Sequence, residues 1–318
     1  MRNLLNKIVR EDSGAIMVMV ALGLVAMIGC MALVIDAGAG YAAGMKASNA
    51  ADAAVLAGVQ ELPDDPDDAL VKAQNYIQLN GVDLADVTFS ISEDHKSITG
   101  DVNKEQDMYF ARIFGINTKN LKAHAKAKVG PATKLGEGTG VVPIGVLQDE
   151  IIYDKPMTLK EGGGEGEQGW YGCLNLNSIT DDHGGSDVYE HFLTYGYDGD
   201  GYIGYGTLIL EENGNMSGGT GDGIGYRLQK CQDECDRVCT AEDYDPECPR
   251  LVIVPVGKMI DKKNFQVESF VAFFLSNEPG NGNESIITGQ FIKPVNIPGA
   301  EVDDTIKDNG VYARVLCE

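Results

Sequence analysis

The chain has 318 residues and a net charge of −23, with 48 acidic against 25 basic side chains. That balance repels nucleic acid and anionic lipid headgroups, which excludes nucleic-acid binding as a function class. A hydrophobic content of 43% supports ordinary cores and excludes a globally disordered chain, while 40 glycines point to turns rather than to a helical bundle.

Residues 15–35 form a run of 21 residues without a charge, ended by Asp36. As a helix rising about 1.5 Å per residue, the run spans roughly 30 Å, the thickness of a bilayer's hydrocarbon core. Arg2, Lys7 and Arg10 precede it, and the next cation after it is Lys46. The positive-inside rule therefore places residues 1–13 in the cytoplasm and the rest of the chain on the far side of the cell membrane. A cleaved secretory leader is the alternative. Ala37-Gly38-Ala39 imitates its cleavage site, but the apolar run is longer than such leaders carry.

Residues 37–61 contain no proline, so the membrane helix continues outward as an Ala-rich stalk. Gly38, Gly40, Gly44 and Gly58 each cost such a helix about 1 kcal/mol relative to Ala. Three sets of small residues recur at four-residue spacing: Gly40 and Gly44; Ala43, Ala47 and Ala51; Ala50, Ala54 and Gly58. Such spacing lets a second helix approach closely. The second helix belongs either to the chain's own domain or to a neighbouring membrane protein. Asp36, Gly40, Gly44, Asn49 and Asp52 are the candidate packing and topology determinants. Asn49 and Asp52 interrupt an otherwise small-residue helix with groups able to hydrogen-bond a partner.

The ordered set Gly14-Ala15, apolar run, Val34-Ile35-Asp36, Tyr41 and NAADAAVLAG over 49–58 resembles the N-terminal segment of TadG-like (Tad domain) Flp pilus-assembly proteins. Looser similarity continues over 142–295, in ENGNMSG and CPRLVIVPV. The resemblance implies a single-pass envelope protein that works with other Tad/Flp pilus or envelope proteins, without known catalytic activity or cofactor. A processed pilin would carry Glu five residues after the glycine. Counted from Gly14 that position is Met19, which favours an accessory role. The D-x-S-x-S metal motif of the adhesion domain found in some family members does not occur here.

Asp64, Asp65, Asp67 and Asp68 around Pro66 read as a solvated linker. A small α+β domain is expected over 69–130. It contains a helix over 69–79 on Leu70, Ala73 and Ile77, strands around 87–91 and 98–102, a helix over 106–116 on Tyr109, Phe110, Ile113 and Phe114, and a strand over 121–129. In that last strand Lys122, Lys126 and Lys128 form a cationic stripe, read as a solvated face or a dock for an acidic partner, the chain's own acidic loops included. The glycine-rich stretch over 130–140, GPATKLGEGTG, reads as a linker, set at 131–141 between the two domains. A β-rich outer domain over 142–318 follows, with strands over 141–147, 151–159, 170–176, 202–210, 251–256, 265–275 and 286–294. Helical insertions are expected over 186–195 and 221–230. The fold class is therefore α+β.

Cys30 lies inside the apolar run, and six cysteines remain: Cys173, Cys231, Cys235, Cys239, Cys248 and Cys317. An even number in an exported domain reads as up to three disulfides, and a loop closed within the four-cysteine cluster would contribute about 3 kcal/mol on the chain-entropy model. Four of the six follow C-x3-C-x3-C-x8-C, a spacing that also permits zinc. Export favours disulfides, and no metal is assigned at this stage. Asp181, Asp182, His183, Asp187, Glu190 and His191 gather ligand types, but the eight-residue step between the histidines is not a helical metal pair. YDGDGYIG over 197–204 departs from a calcium loop, and GGTGDGIG over 218–225 lacks the lysine of a P-loop. Ser217 is not in a nucleophile elbow. The N-x-S triplets at Asn215 and Asn283 matter only in a glycosylating host. No catalytic residue is assigned. Assembly, anchoring or surface presentation is the leading function, followed by an adhesin-like binding module and, last, an exported hydrolase.

Overall fold

The computed structural model describes residues 2–160, 172–180, 183–212, 216–280 and 285–317. The loop read over 162–169, the start of the strand read from Trp170, Asp181, Asp182, Asn215 and Asn283 lie outside them. The chain divides into two compact units. One comprises residues 1–127 with 316–318, the other residues 128–315.

The first unit is built on α1 (Arg2–Gly58), a single uninterrupted helix. From Ile16 to Ile35 its large apolar side chains are all exposed, and the segment is long and apolar enough to cross a membrane. Beyond Asp36 the same helix turns inward. Ala47, Ala50, Ala51, Ala54, Val55 and Gly58 follow helical spacing and are buried. They pack on α2 (Pro66–Leu79) and on β2 (Ser97–Asp107), which pairs antiparallel with β1 (Val87–Ile91). The start of β3 (Thr118–Thr133) adjoins β2. Gly58 is required by this packing, because a Cβ there would lie 2.8 Å from the Ala69 carbonyl oxygen and from Ile98 Cδ1.

Several expectations are corrected here. The acidic cluster is not a linker but the start of α2. Asp65 accepts from the Asp68 amide at 3.0 Å as its N-cap, Pro66 opens the first turn, and Asp67 and Asp68 stand where the helix dipole favours anions. The buried stripe of α2 is Ala69, Ala73 and Ile77, with Ala69 in the place expected of Leu70. The helix expected over 106–116 is also wrong. β2 runs on to Asp107, and only a 3-10 turn, Ala111–Phe114, follows. Gly115, at φ 82°, ends that turn in a left-handed conformation that costs glycine little. Tyr109, Ile113 and Phe114 had the period of a buried stripe, yet all three are exposed. Residues 130–135, read as linker, continue β3 and bridge Leu135 to Ile203, with Ala132 and Leu135 buried.

The second unit centres on β8 (Leu251–Met259) and β9 (Asn264–Leu275), a long antiparallel hairpin. β4 (Val146–Leu147) lies beside β8, and β10 (Ile287–Ile292) with β5 (Pro156–Lys160) lies beyond β9. β6 (Leu174–Asn175) reaches β9 through β7 (Leu208–Glu211). Alternate residues serve two cores. Val252, Val254, Val256, Val271 and Phe273 join one with Tyr189, Leu193 and Ile224; Ile253, Phe270, Ala272 and Phe274 join the other with Cys231, Cys239 and Cys248. Burial on both faces explains why these strands read as continuous apolar runs rather than as alternating ones. Tyr189 and Leu193 belong to α3 (Ser186–Tyr195), Ile224 to α4 (Ser217–Glu234). The helices touch where Gly219 and Gly223 of α4 meet Glu190 and Leu193; an added Cβ would lie 3.0 and 3.1 Å from them. GGTGDGIG thus serves helix packing. Short β11 (Val295–Asn296) pairs in parallel with β13 (Val311–Cys317), and β12 (Glu301–Val302) pairs with the end of β3.

Gly58→Val is expected to destabilise the first unit by about 1–3 kcal/mol through overpacking. Thermal unfolding of the detergent-solubilised chain checks this, and an unchanged midpoint would contradict the packing described.

Candidate functional site

Asp36 is the first polar residue after the apolar run and is only 6% exposed. Its carboxylate accepts from three consecutive backbone amides: Tyr109 at 2.8 Å, Phe110 at 3.1 and 3.2 Å, and Ala111 at 2.6 Å. The 3-10 turn Ala111–Phe114 begins at those amides, so the anion sits where a helical start presents unpaired N–H groups. Sequence reading placed Asp36 among the topology determinants but could not supply its partners, which lie more than 70 residues away. No local pattern marks backbone donors.

The small-residue stalk splits by function. Ala47, Ala50, Ala51, Ala54 and Gly58 are consumed by the unit's own core. A Cβ at Gly40 or Gly44 would meet nothing within 4 Å. Asn49 is exposed and Asp52 half-buried. The cationic strand face is partly compensated within the chain, His124 Nδ1 lying 2.8 Å from Asp101 and Lys128 Nζ 2.8 Å from Asp304.

Of the six cysteines outside the apolar run, four are brought together. Cys231 stands in the last turn of α4, Cys235 is its C-cap, Cys239 follows in a loop, and Cys248 lies three residues before β8. Their sulfur atoms all lie within 4.8 Å of one another, and Cys248 Sγ is 3.5 Å from Cys231 Sγ. Arginines hold the surrounding backbone. Arg250 donates to the carbonyls of Cys239, Leu275 and Ser276 at 3.0, 2.8 and 3.1 Å. Arg227 donates to Leu193 and Pro249, and Arg237 to Tyr244.

Cys173 and Cys317 stand outside this group. Cys173 is buried near Lys160 and Tyr189, and burial pushes its thiol up, with the Lys160 charge opposing. Burial likewise pushes the Lys160 ammonium down. Both shifts favour neutral forms, the reverse of what an activated cysteine nucleophile needs. His191 pairs with Asp198 at 2.8 Å on the surface, as a solvated polar helix would.

Asp36→Ala is expected to release the 109–111 amides. Charge-assisted hydrogen bonds contribute about 1.5–3 kcal/mol, so amide exchange there should accelerate by roughly 10- to 100-fold. Hydrogen-exchange mass spectrometry reads this directly, and unchanged protection would refute the clamp.

No curated protein and no solved structure matches the chain. Residues 14–61 match the Tad family of TadE/G-like Flp pilus-assembly proteins. The matched segment contains the whole apolar run, Asp36, the open glycine pair and the part of α1 buried in the first unit, and ends at the short turn after Gly58. Through this segment the chain is tied to Flp/Tad pilus assembly, with α1 as its candidate membrane helix.

Proposed function

We propose that the protein is a single-pass envelope component for assembly, anchoring or surface presentation in a Flp/Tad-type pilus or secretion system. Residues 1–13 lie in the cytoplasm and the acidic remainder outside. The lysine and arginine bias around residues 15–35 supports that orientation. Its partners are the membrane and other Tad/Flp proteins, met through α1, and its role is non-catalytic.

The observation that carries this reading is the division of labour along α1. In α4 the pair Gly219 and Gly223, four residues apart, is filled by α3. In α1 the pair Gly40 and Gly44 has the same spacing, and although Gly40 is buried and Gly44 half-buried, a Cβ on either would meet nothing within 4 Å. Each glycine costs a helix about 1 kcal/mol, and among the described residues no close contact to an added Cβ offsets that cost. A helix of a neighbouring envelope protein, seated against Gly40 and Gly44, supplies the offset. Asn49, one and a half turns further on, then offers it a hydrogen bond.

Gly40→Leu with Gly44→Leu is expected to abolish surface display of pili while the chain stays in the membrane fraction. Piliation counted by electron microscopy, with immunoblotting of membranes, tests it. Normal piliation would remove the proposed interface.

A further inference from the structure

We propose that Cys231, Cys235, Cys239 and Cys248 form a tetrathiolate site for a structural zinc ion. The proposal is independent of the assembly role. A tetrahedral zinc with bonds of about 2.3 Å sets its four sulfurs about 3.8 Å apart. The observed set, with every separation within 4.8 Å and one edge at 3.5 Å, needs only small contraction to reach that arrangement. Two disulfides would divide the set into pairs bonded at about 2.05 Å, whereas these four side chains converge on a common centre.

The local chain shows what the ion would do. Cys231 and Cys235, four apart at the end of a helix, share one face. Residues 235–250 then contain neither helix nor strand before β8 begins. The backbone of this excursion is held by arginine-to-carbonyl bonds, and it turns Cys239, Cys248, Ala241 and Tyr244 onto the core. Zinc binding displaces four thiol protons and leaves a site of net charge −2, with the ion's four positions filled by protein and none open for a substrate. Three of the four cysteines are buried and Cys235 is half-buried. Cys231, Cys235 and Cys239 border a groove of about 730 Å³ that gives an ion access.

The test uses the full chain purified in detergent without added metal. Stoichiometric zinc by elemental analysis is expected, lost in Cys235→Ala. Alkylation of unreduced protein should spare these four thiols until a chelator is added. The wild-type chelator measurement stands even where the variant fails to fold. Zinc-free protein with the mass deficit of two disulfides, or with four thiols alkylated before chelation, would overturn the site.

A second observation is independent of the cysteines. Tyr109, Ile113, Phe114 and Ile116 are 63, 79, 83 and 55% exposed, and all lie within five residues of the amides that Asp36 holds. We infer that this turn rests in the headgroup layer of the bilayer that α1 crosses. Asp36 marks the end of the apolar run, and the headgroup zone extends roughly 5–8 Å beyond the hydrocarbon core. The clamp therefore fixes the turn at interfacial depth, where exposed aromatic side chains are favourable. In a chain of net charge −23, residues 108–127 of this unit contain no acid, and the adjacent Asp107 is paired with Arg112 at 2.9 Å, which lowers repulsion from anionic lipid. The inference rests on residues 15–35 being the membrane span.

Phe114→Trp in the full chain, reconstituted into nanodiscs of brominated phosphatidylcholine, is the probe. The natural protein contains a single tryptophan, Trp170, so the added emission is obtained by difference. It should be largely quenched by brominated lipid, and quenching should fall when Asp36→Ala is added. Unquenched emission at position 114, in protein that still resists alkaline extraction from membranes, would overturn the interfacial turn while leaving the span intact. Loss of that resistance would overturn both.

Discussion

Asp36 is a carboxylate with an exposed apolar helix, long enough to cross a membrane, on one side and a folded unit on the other, and the architecture of the first unit turns on it. Burying an ion is costly unless its lone pairs are occupied. Here three adjacent amides occupy them, and the same bonds satisfy donors that the start of a 3-10 turn would otherwise leave open. One interaction thus removes two desolvation penalties and binds the helix to a loop more than 70 residues away. Asparagine or serine would offer the amides a weaker, uncharged acceptor.

The clamp makes sense of a helix with two solvents. From Ile16 to Ile35, α1 exposes every large apolar side chain; from Ala47 it buries most of its small ones. Only glycine allows the close approach seen at Gly58, where the Ala69 carbonyl and Ile98 would collide with any Cβ. An α1 that leaned freely on its unit would lose this fit. Asp36 supplies a second point of attachment, 22 residues before Gly58, so that the helix is held at both ends of its buried stretch.

Much of this was legible in the sequence, and the failures have a common cause. The apolar run, α2, β1, β2, α3, α4 and the strands β8 and β9, though not their pairing, follow from period and turn residues. Helix 106–116 was misread because its apolar residues have helical spacing; the spacing reports a face, not what the face meets, and Gly115 with the Asp36 bonds makes it a turn. The acidic run at 64–68 looked like solvated linker because charge density was weighed above position, although Asp-Pro-Asp-Asp is also how a capped helix begins. Residues 130–135 read as linker from glycine and proline content, but Gly130 is a close-approach residue: a Cβ there would lie 2.5 Å from Val302. The cysteine spacing was visible, whereas convergence on one centre depends on where α4 ends and β8 begins, which spacing alone does not encode.

Glycine placement carries the last step of the synthesis. Gly58, Gly219 and Gly223 are each explained by an atom that a Cβ would strike or crowd. Among the glycines of α1 beyond Asp36, Gly38, Gly40 and Gly44 are not. If they were merely tolerated, Ala would serve better at all three, since the surrounding sequence is already Ala-rich and alanine costs the helix least. The unexplained glycines fall within two turns of each other, just past the end of the apolar run and before the core of the unit begins. A Cβ at any of the three would meet nothing within 4 Å, although Gly40 itself is buried, and the stretch lies inside the segment shared with the Tad family. A second helix at this level accounts for the glycines with the same packing logic that α3 and α4 display within the chain.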